Sequence, residues 1–440
     1  MSKVEVKNLG DTLQPLTNKT IRELGFTTLY IDLNSCFASI EQQARPRLRE
    51  KPVAIVNRLA KNSAIIAASI EAKKLGVKVG MRTEEAKALV NNVVFAETEP
   101  SKYIYVHKKL QSILSHYSPN VEMKSIDEGL IDLSTADKNT RDKTPRELAE
   151  EIKSHLKSEV GCYIKCSIGF SYNRFLAKLA GELHKPNGMD AITEENIREV
   201  FSLLKLTDLP GINIRTCLRL KTYGITTPLE LLDAKEATLR VLVMNSIEGT
   251  KWYFRLRGVE VDEREQQTKT IGRQFVLAPN TSIESAKVRL AHLAEDVGFR
   301  LRTQNLHARG VQVFVTFGLT EAPETVQKKF LKKTTFNANS EIVEYAKELF
   351  NQIINENKAR YINPRLIGVT LYNLEQEETK QLDFEHKKSE KAQKISETID
   401  QINQRFGART IHSAYTLKTN DMHTKIPFGS TRYLDKNIGK

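Results

Sequence analysis

Two acidic residues stand side by side in an apolar, strand-like stretch. Val121 to Leu133 reads VEMKSIDEGLIDL, and Asp127 and Glu128 interrupt it. A strand excludes such a pair or carries it for a reason, because burial penalises charge that nothing pairs with. Neighbouring side chains of a regular strand point to opposite faces. Both acids can therefore serve one site only at a bend or a hairpin end, and Gly129 beside them allows close backbone approach. Asp132, close by, reads as a surface residue.

A third carboxylate lies upstream in LYIDLNSCFASIEQ, Leu29 to Gln42. Leu29, Tyr30 and Ile31 read as the end of a buried strand, and Asp32 follows. A helix then begins, with Asn34 or Ser35 as its cap and Phe37, Ile40 and Glu41 at helical spacing. A carboxylate ahead of the N–H groups of a new helix suits a metal-bound phosphate. Taken alone, Asp32 reads as a structural residue at a helix start.

Between and beyond these stretches, from Phe26 to about Asp190, strands and helices alternate. Strands are expected at 52–57, 64–68, 93–95 and 162–171. Helices are expected at 69–75, 83–89, 102–116, 144–157 and 173–183. The last ends in HKPNGM, a Pro-Asn-Gly turn after His184 and Lys185. The fold class of this part is α+β, with one sheet carrying Asp32 and the Asp127–Glu128 pair on adjacent strands. Three anions at one place repel unless cations bind there. Two Mg²⁺ ions roughly 4 Å apart need such ligands and serve phosphoryl transfer. Lys185 and Lys73, both near turns, are candidate triphosphate contacts.

Leu206 to Leu232 reads as two short helices around Pro210-Gly211-Ile212. Such a helix-hairpin-helix turn offers backbone N–H groups to a DNA phosphate without reading sequence; an ordinary helical turn is the other reading. Asn213 stands where the usual hairpin has a second Gly, and a left-handed Asn would preserve the turn. Residues 261–270 are charged and patternless, a linker. Beyond them, strands at 271–276, 310–317 and 365–374 alternate with helices at 285–302 and 341–356, a small module able to face a DNA backbone. In the tail, residues 386–440 carry +6, from 11 Lys+Arg and 5 Asp+Glu, of a net +13 for 440 residues. Ala392, Ile395, Ile399, Ile402 and Phe406 make a helical stripe stopped by Gly407, read as docked on the protein's own surface.

A basic chain with no long apolar run and no signal-peptide pattern points to the cytoplasm and to a polyanionic partner. The four cysteines lack zinc-site spacing and read as reduced thiols.

IDLNSCFASIE, KSIDEGLID, SYNRFLAKLAGELHKPNGM and DLPGI, in this order and spacing, resemble the Y-family, or translesion, DNA polymerases, over roughly Leu29 to Phe384. The DLN form, SIEAKKLGVKVG and the tail INQRFGARTI resemble the UmuC branch more than the DinB branch. The resemblance implies a right-hand polymerase with a ferredoxin-like palm, small fingers, a helical thumb with the hairpin motif, and a separate α+β little finger. It places an N-terminal extension at 1–25, the palm at 26–35 and 98–190, and the fingers at 36–97. The thumb falls at 191–260, the little finger at 271–380 and a basic tail at 381–440.

By the same resemblance, Asp32, Asp127 and Glu128 are metal ligands and catalytic, and Leu33 supplies a carbonyl to the metal. Phe37 is the aromatic steric gate against a ribose 2′-OH. The N–H groups of Cys36 and Phe37, with Lys73 and Lys185, hold the nucleotide. Gly211 and Arg273 are the expected DNA contacts. Gln381, Leu382, Asp383 and Phe384 are similar to a clamp-binding peptide. Asn34, Ala67 and Ile70 depart from the Asp, Thr and Tyr of many members, so nucleotide contacts are fewer or placed differently.

The implied activity is low-fidelity, template-directed DNA synthesis on damaged templates, from dNTP to a primer 3′-OH. Its cofactor is Mg²⁺, two ions, with Mn²⁺ a possible substitute. Partners are primer-template DNA, a sliding clamp, and UmuD-like and recombinase proteins, with no membrane. The competing classes are a non-catalytic DNA- and clamp-binding accessory protein, and another two-metal palm enzyme such as a nucleotide cyclase.

Overall fold

The computed structural model describes residues 18–262, 268–318, 323–357, 364–376, 386–419 and 422. They fall into two compact units, one within Met1–Arg264 and one within Glu265–Lys425.

The first unit opens with α1 (Ile21–Leu24), closed by a Thr20–Glu23 capping box. Then come β1 (Thr28–Leu33) and α2 (Cys36–Ala44). A small sheet follows, from β2 (Val53–Val56), β3 (Ile65–Ala68), α3 (Ile70–Lys74), α4 (Thr83–Leu89) and β4 (Val94–Glu97). Its strand order is β3-β2-β4, with β2 antiparallel to β3 and parallel to β4. Ser69 is the cap of α3, its side chain accepting the Ala72 N–H.

Next are α5 (Pro100–Leu114), β5 (Val121–Met123), β6 (Glu128–Asp132), α6 (Lys138–Arg141) and α7 (Pro145–Glu159). β7 (Cys166–Ser171), α8 (Arg174–Leu183) and β8 (Met189–Ala191) complete a five-stranded sheet of order β5-β6-β1-β7-β8. Strand β8 is additional to the sequence expectation; three residues are too few to show a period. Helix α8 lies close against the sheet because two glycines meet there. A Cβ on Gly169 would stand 2.1 Å from the Ala177 carbonyl oxygen, and one on Gly181 2.9 Å from the Tyr30 ring. That approach brings the polar face of α8 to the end of β1.

The rest of this unit is helical: α9 (Ile197–Leu203), α10 (Ile214–Thr222), α11 (Pro228–Asp233) and α12 (Ile247–Arg255). They pack on the apolar side of α8 through Phe175, Leu179, Phe201, Leu220, Leu231 and Trp252. Gly211 takes the left-handed conformation, φ +92°. Asn213 does not: at φ −87° it is the cap of α10, its side chain accepting the Thr216 N–H. The hairpin is thus preserved by capping chemistry rather than by a second left-handed residue.

The second unit contains β9 (Thr270–Val276), α13 (Ile283–Thr303), β10 (Leu306–Phe317), β11 (Glu324–Phe336), α14 (Asn339–Asn357), β12 (Pro364–Gln376) and α15 (His386–Phe406). Its sheet is antiparallel, in the order β11-β10-β12-β9. Helices α13 and α14 cover one face through Leu290, Val297, Val313, Phe350, Val369 and their neighbours. Strand β11 was absent from the sequence expectation, which had three strands here. Its lysines occur on both faces, and Lys328 and Lys332 pair with Glu356 and Glu341 of α14. The polar–apolar contrast that marks a strand is thereby lost.

Helix α15 does dock on this unit, with Ala392, Ile399 and Ile402 of its apolar stripe half-buried and polar contacts beside them. Arg302 of α13, 9% exposed, makes two hydrogen bonds to Asp400 at 2.6 and 3.0 Å. The Asn339 N–H donates to Ser396 Oγ at 3.0 Å. Ile395 and Phe406 remain 52% and 64% exposed. Gly407 ends the helix at φ +114°.

Candidate active site

The acids converge as the adjacent pair requires. Asp127 lies in the connection between β5 and β6, and Glu128 opens β6. Glu128 is the direct cross-strand partner of Asp32. The Leu33 N–H donates to the Asp127 carbonyl at 2.9 Å and ties the turn to β1. Ser125 organises that turn, donating to Asp127 Oδ1 at 2.5 Å and accepting the Glu128 N–H at 3.1 Å. One oxygen from each of Asp32, Asp127 and Glu128 lies within 4.8 Å of the others. Such a set of hard oxygen donors, all half-buried, suits Mg²⁺ or Mn²⁺.

Two lysines offset part of the charge of the cluster. Lys185 donates to Asp32 at 2.5 Å and to Glu182 at 2.8 Å. Lys178 pairs with Glu128, and its ammonium lies 5.1 Å from the centre of the Tyr30 ring. The Tyr30 hydroxyl donates to the same Glu128 oxygen at 2.6 Å. Burial pushes the Asp32 carboxyl up to about 6, against the pull of Lys185. Burial also raises Asp127, opposed by the Ser125 hydroxyl. It acts on Glu128 in the same sense, but Lys178 and Tyr30 outweigh it and hold that carboxyl below its usual value. Raised carboxyls in one cluster mark a place where a cation is favoured.

The start of α2 adjoins this cluster in sequence. Ser35 is its cap residue, in the left-handed conformation, and the first-turn N–H groups belong to Cys36 and Phe37. Lys73 donates to Ser35 Oγ at 2.8 Å, bringing a cation to that helix end. The Cys36 thiol is buried and held far above its usual range by that burial. Phe37 stacks on Tyr103, centroids 4.2 Å apart and planes 11° apart. Tyr103 in turn donates to the fully buried Glu41 at 3.1 Å. The ring of Phe37 therefore has a rigid backing.

The remaining expected site residues are more scattered. Gly211 is exposed in the turn that precedes α10. Arg273 is held away from the open face of its sheet. It alternates with Ile271 and Phe275 on the helix-covered side and pairs with Asp296 of α13, so its expected role as a DNA contact loses its geometric basis. Gln381, Leu382, Asp383 and Phe384 lie outside the described residues. Ala67 and Ile70, at β3 and the start of α3, are half-buried.

Lys178, Glu182, Tyr30 and Tyr103 were not singled out from the sequence. Lys178 and Glu182 stand four residues apart on a helix otherwise largely buried, and Lys185 follows two residues past its end, which is a readable polar face. Among the described residues no helix is long and apolar enough to cross a membrane.

Comparison with known proteins identifies the family and the fold. Residues 31–182 match the model of the impB/mucB/samB family, and residues 268–384 match that family's C-terminal domain. The chain is 29% identical over 410 residues to DNA polymerase IV of Bacillus velezensis, covering 91% of this chain and 95% of that protein. It is also 29% identical over 405 residues to DNA polymerase IV 1 of Bacillus subtilis, covering 90% and 94%. Among solved structures, a Y-family DNA polymerase chimera of Dbh and Dpo4 shares the fold, with TM-score 0.67 and 21% identity over 79% of this chain and 99% of that one. An insertion ternary complex of Dbh DNA polymerase gives TM-score 0.54 at 22% identity, over 79% and 99%. The two family models together span well over half of the 440 residues, and the chain belongs to the impB/mucB/samB family, the Y-family of DNA polymerases.

Proposed function

We propose that this chain is a DNA-directed DNA polymerase that copies damaged templates with low fidelity. The observation that carries this reading is the convergence of Asp32, Asp127 and Glu128 beside Lys185 and the start of α2. The relatives' name, DNA polymerase IV, supports it.

The residues fit a pair of divalent cations, Mg²⁺ by the hardness of the donors, with Mn²⁺ as substitute. Asp32, Asp127, Glu128 and the Leu33 carbonyl would hold them. When bound, the metals lower the pKa of the attacking hydroxyl and neutralise the leaving pyrophosphate. The chain's own groups do the rest. Lys185, Lys73 and the N–H groups of Cys36 and Phe37 bind and orient the triphosphate of a dNTP. Phe37, backed by Tyr103, occupies the space a 2′-hydroxyl needs. Lys178 and Tyr30 hold Glu128 in place.

On this reading the five-stranded sheet is the palm and the β3-β2-β4 sheet belongs to the fingers. Helices α9 to α12 form the thumb, and the second unit is the little finger. The exposed turn at Gly211 contacts phosphates through backbone N–H groups, without reading sequence. Lys329 and Lys333, exposed on the open face of β11, replace Arg273 as the expected backbone contacts of the second unit. The Gln381–Phe384 peptide docks a sliding clamp, UmuD-like and recombinase proteins assist, and the enzyme works in the cytoplasm. The DLN form supports a place nearer the UmuC branch.

Primer extension across an abasic site tests the reading. Wild type is expected to extend in Mg²⁺ and Asp127→Ala to fail; equal extension by both would remove the catalytic assignment. Labelled dNTP incubated with and without primed template separates a polymerase from a cyclase.

A further inference from the structure

Lys185 stands at the head of a turn, Pro186 to Gly188, that is gripped from two sides. On one side Asn34 Oδ1 accepts the Asn187 N–H at 2.7 Å, and Ser167 Oγ accepts the Gly188 N–H at 3.3 Å. Asn34 Nδ2 donates to Ser167 Oγ at 3.0 Å, and the two side chains are 4% and 0% exposed. On the other side Lys153 of α7 donates to the carbonyls of Asn187 and Gly188, at 2.6 and 3.1 Å. His184 and Asp190 close the ends of the segment at 2.6 Å. Both N–H groups and both carbonyls of the last two turn residues thus have side-chain partners.

This is more than a four-residue turn needs to form. Asn34 joins the end of β1, Ser167 lies in β7 and Lys153 in α7, so three separate elements converge on it. A buried amide with both of its polar atoms engaged fixes one register, because leaving either unpaired is costly. Lys185 has a flexible stem, and a fixed Cα removes much of the disorder that would blur its ammonium. Asn34 is the residue next but one to Asp32, so a single connection aligns the carboxylate and the lysine that faces it.

We propose that Asn34, Ser167 and Lys153 are positioning residues for Lys185: they fix the backbone of its turn and thereby where its ammonium meets the phosphates of a nucleotide. The proposal rests on the polymerase reading above. None of the three touches substrate; each acts through Lys185.

The test is steady-state primer extension on an undamaged template, with dNTP varied. Wild type, Asn34→Ala, Lys153→Met, Lys185→Ala and the two doubles with Lys185→Ala are compared. Asn34→Ala and Lys153→Met are expected to raise the KM for dNTP roughly 10-fold, the scale of a misplaced binding group, with a smaller change in kcat. In the Lys185→Ala background either change is expected to alter KM less than about twofold, because the residues act as one unit. A merely structural role predicts lower kcat and additive effects, and full additivity would overturn the proposal. So would an unchanged KM in either single variant that melts like wild type. Lys153 is only half-buried on α7, so its variant decides the matter should Asn34→Ala fail to fold. If wild type itself extends no primer, the polymerase reading fails and this proposal with it. Extension by wild type with full additivity sinks the positioning role alone.

Discussion

The two larger sheets of this molecule carry charge in opposite ways. In the first unit, carboxylates from β1, β6 and the turn before β6 are half-buried and each is answered by a named cation or hydroxyl. In the second unit, β11 carries Lys329 and Lys333 on an open face with solvent around them, while the other face of the sheet is apolar core. The first arrangement concentrates charge where the dielectric is low and geometry decides the outcome. The second spreads charge where salt screens it and number decides. A catalytic centre and a sequence-independent grip on a polyanion are the uses these two regimes suit.

The comparison breaks most sharply at the acids. Asp127→Ala and Glu128→Gln are each expected to lower primer extension at least ~10³-fold, since several kcal/mol of charge stabilisation depends on them. DNA affinity, measured by fluorescence anisotropy without dNTP, is expected to stay within about twofold. A parallel loss of affinity and turnover would mean that the acids hold the fold rather than a metal.

One step from that cluster, Phe37→Ala is expected to admit ribonucleotides. The ratio of dNTP to NTP incorporation should fall by roughly 10²-fold, the scale on which an apolar pocket rejects an added hydroxyl. Tyr103→Leu removes the ring that backs Phe37 and should produce part of the same loss. Unchanged sugar selection in Phe37→Ala would reject the gate.

Buried charge in the second unit serves a different end. Arg302 and Asp400 join α13 to α15 in a nearly solvent-free pair. Asp400→Ala leaves the Arg302 guanidinium buried without it and is expected to destabilise this unit by about 3 kcal/mol in a denaturant melt. The open face should respond more weakly. Lys329→Glu with Lys333→Glu is expected to reduce the dependence of log affinity on log salt, by about 0.9 for each phosphate that is no longer neutralised. Arg273→Ala should leave that slope unchanged and lower stability, because it takes a cation away from Asp296. A change of slope in Arg273→Ala would return that residue to the DNA interface.

How far each region was legible follows from the same contrast. Val311, Val313, Val315 and Phe317 alternate cleanly, so β10 could be read directly, and the pairing of Asp127 with Glu128 forced a bend that the structure contains. Strand β11 could not be read, because Lys328 and Lys332 point to the covered face and find glutamates there. The side on which Arg273 lies is legible too: Ile271 and Phe275 on either side place it on the covered face. Lys178 is legible as part of a short polar face on α8, but its place beside Glu128 follows only once Gly169 and Gly181 let α8 approach the sheet. The role of Asn34 depends on a strand and a turn more than 130 residues away, which no local pattern encodes.

The last expected effect is a slope, and it isolates the buried acid from the solvated lysines. Asp32, at 3.8 in its ordinary state, is pushed up to about 6 by burial in the metal-free chain. The folded protein then keeps a proton that the unfolded one releases. This contribution to stability is full below about pH 4 and is lost as pH rises through about 6. Asp32→Asn keeps the shape of the side chain and removes the titration. Melts in EDTA should therefore show wild type losing ground to Asp32→Asn between about pH 4 and 6, with a constant difference above. Adding Mg²⁺ reverses the sign for wild type alone, since an ion that binds only the folded chain stabilises it by mass action. Lys329→Glu, on the open sheet, should leave this window untouched. A flat difference between wild type and Asp32→Asn would mean that Asp32 meets water rather than Asp127 and Lys185, and the contrast between the two sheets would collapse at its most buried point.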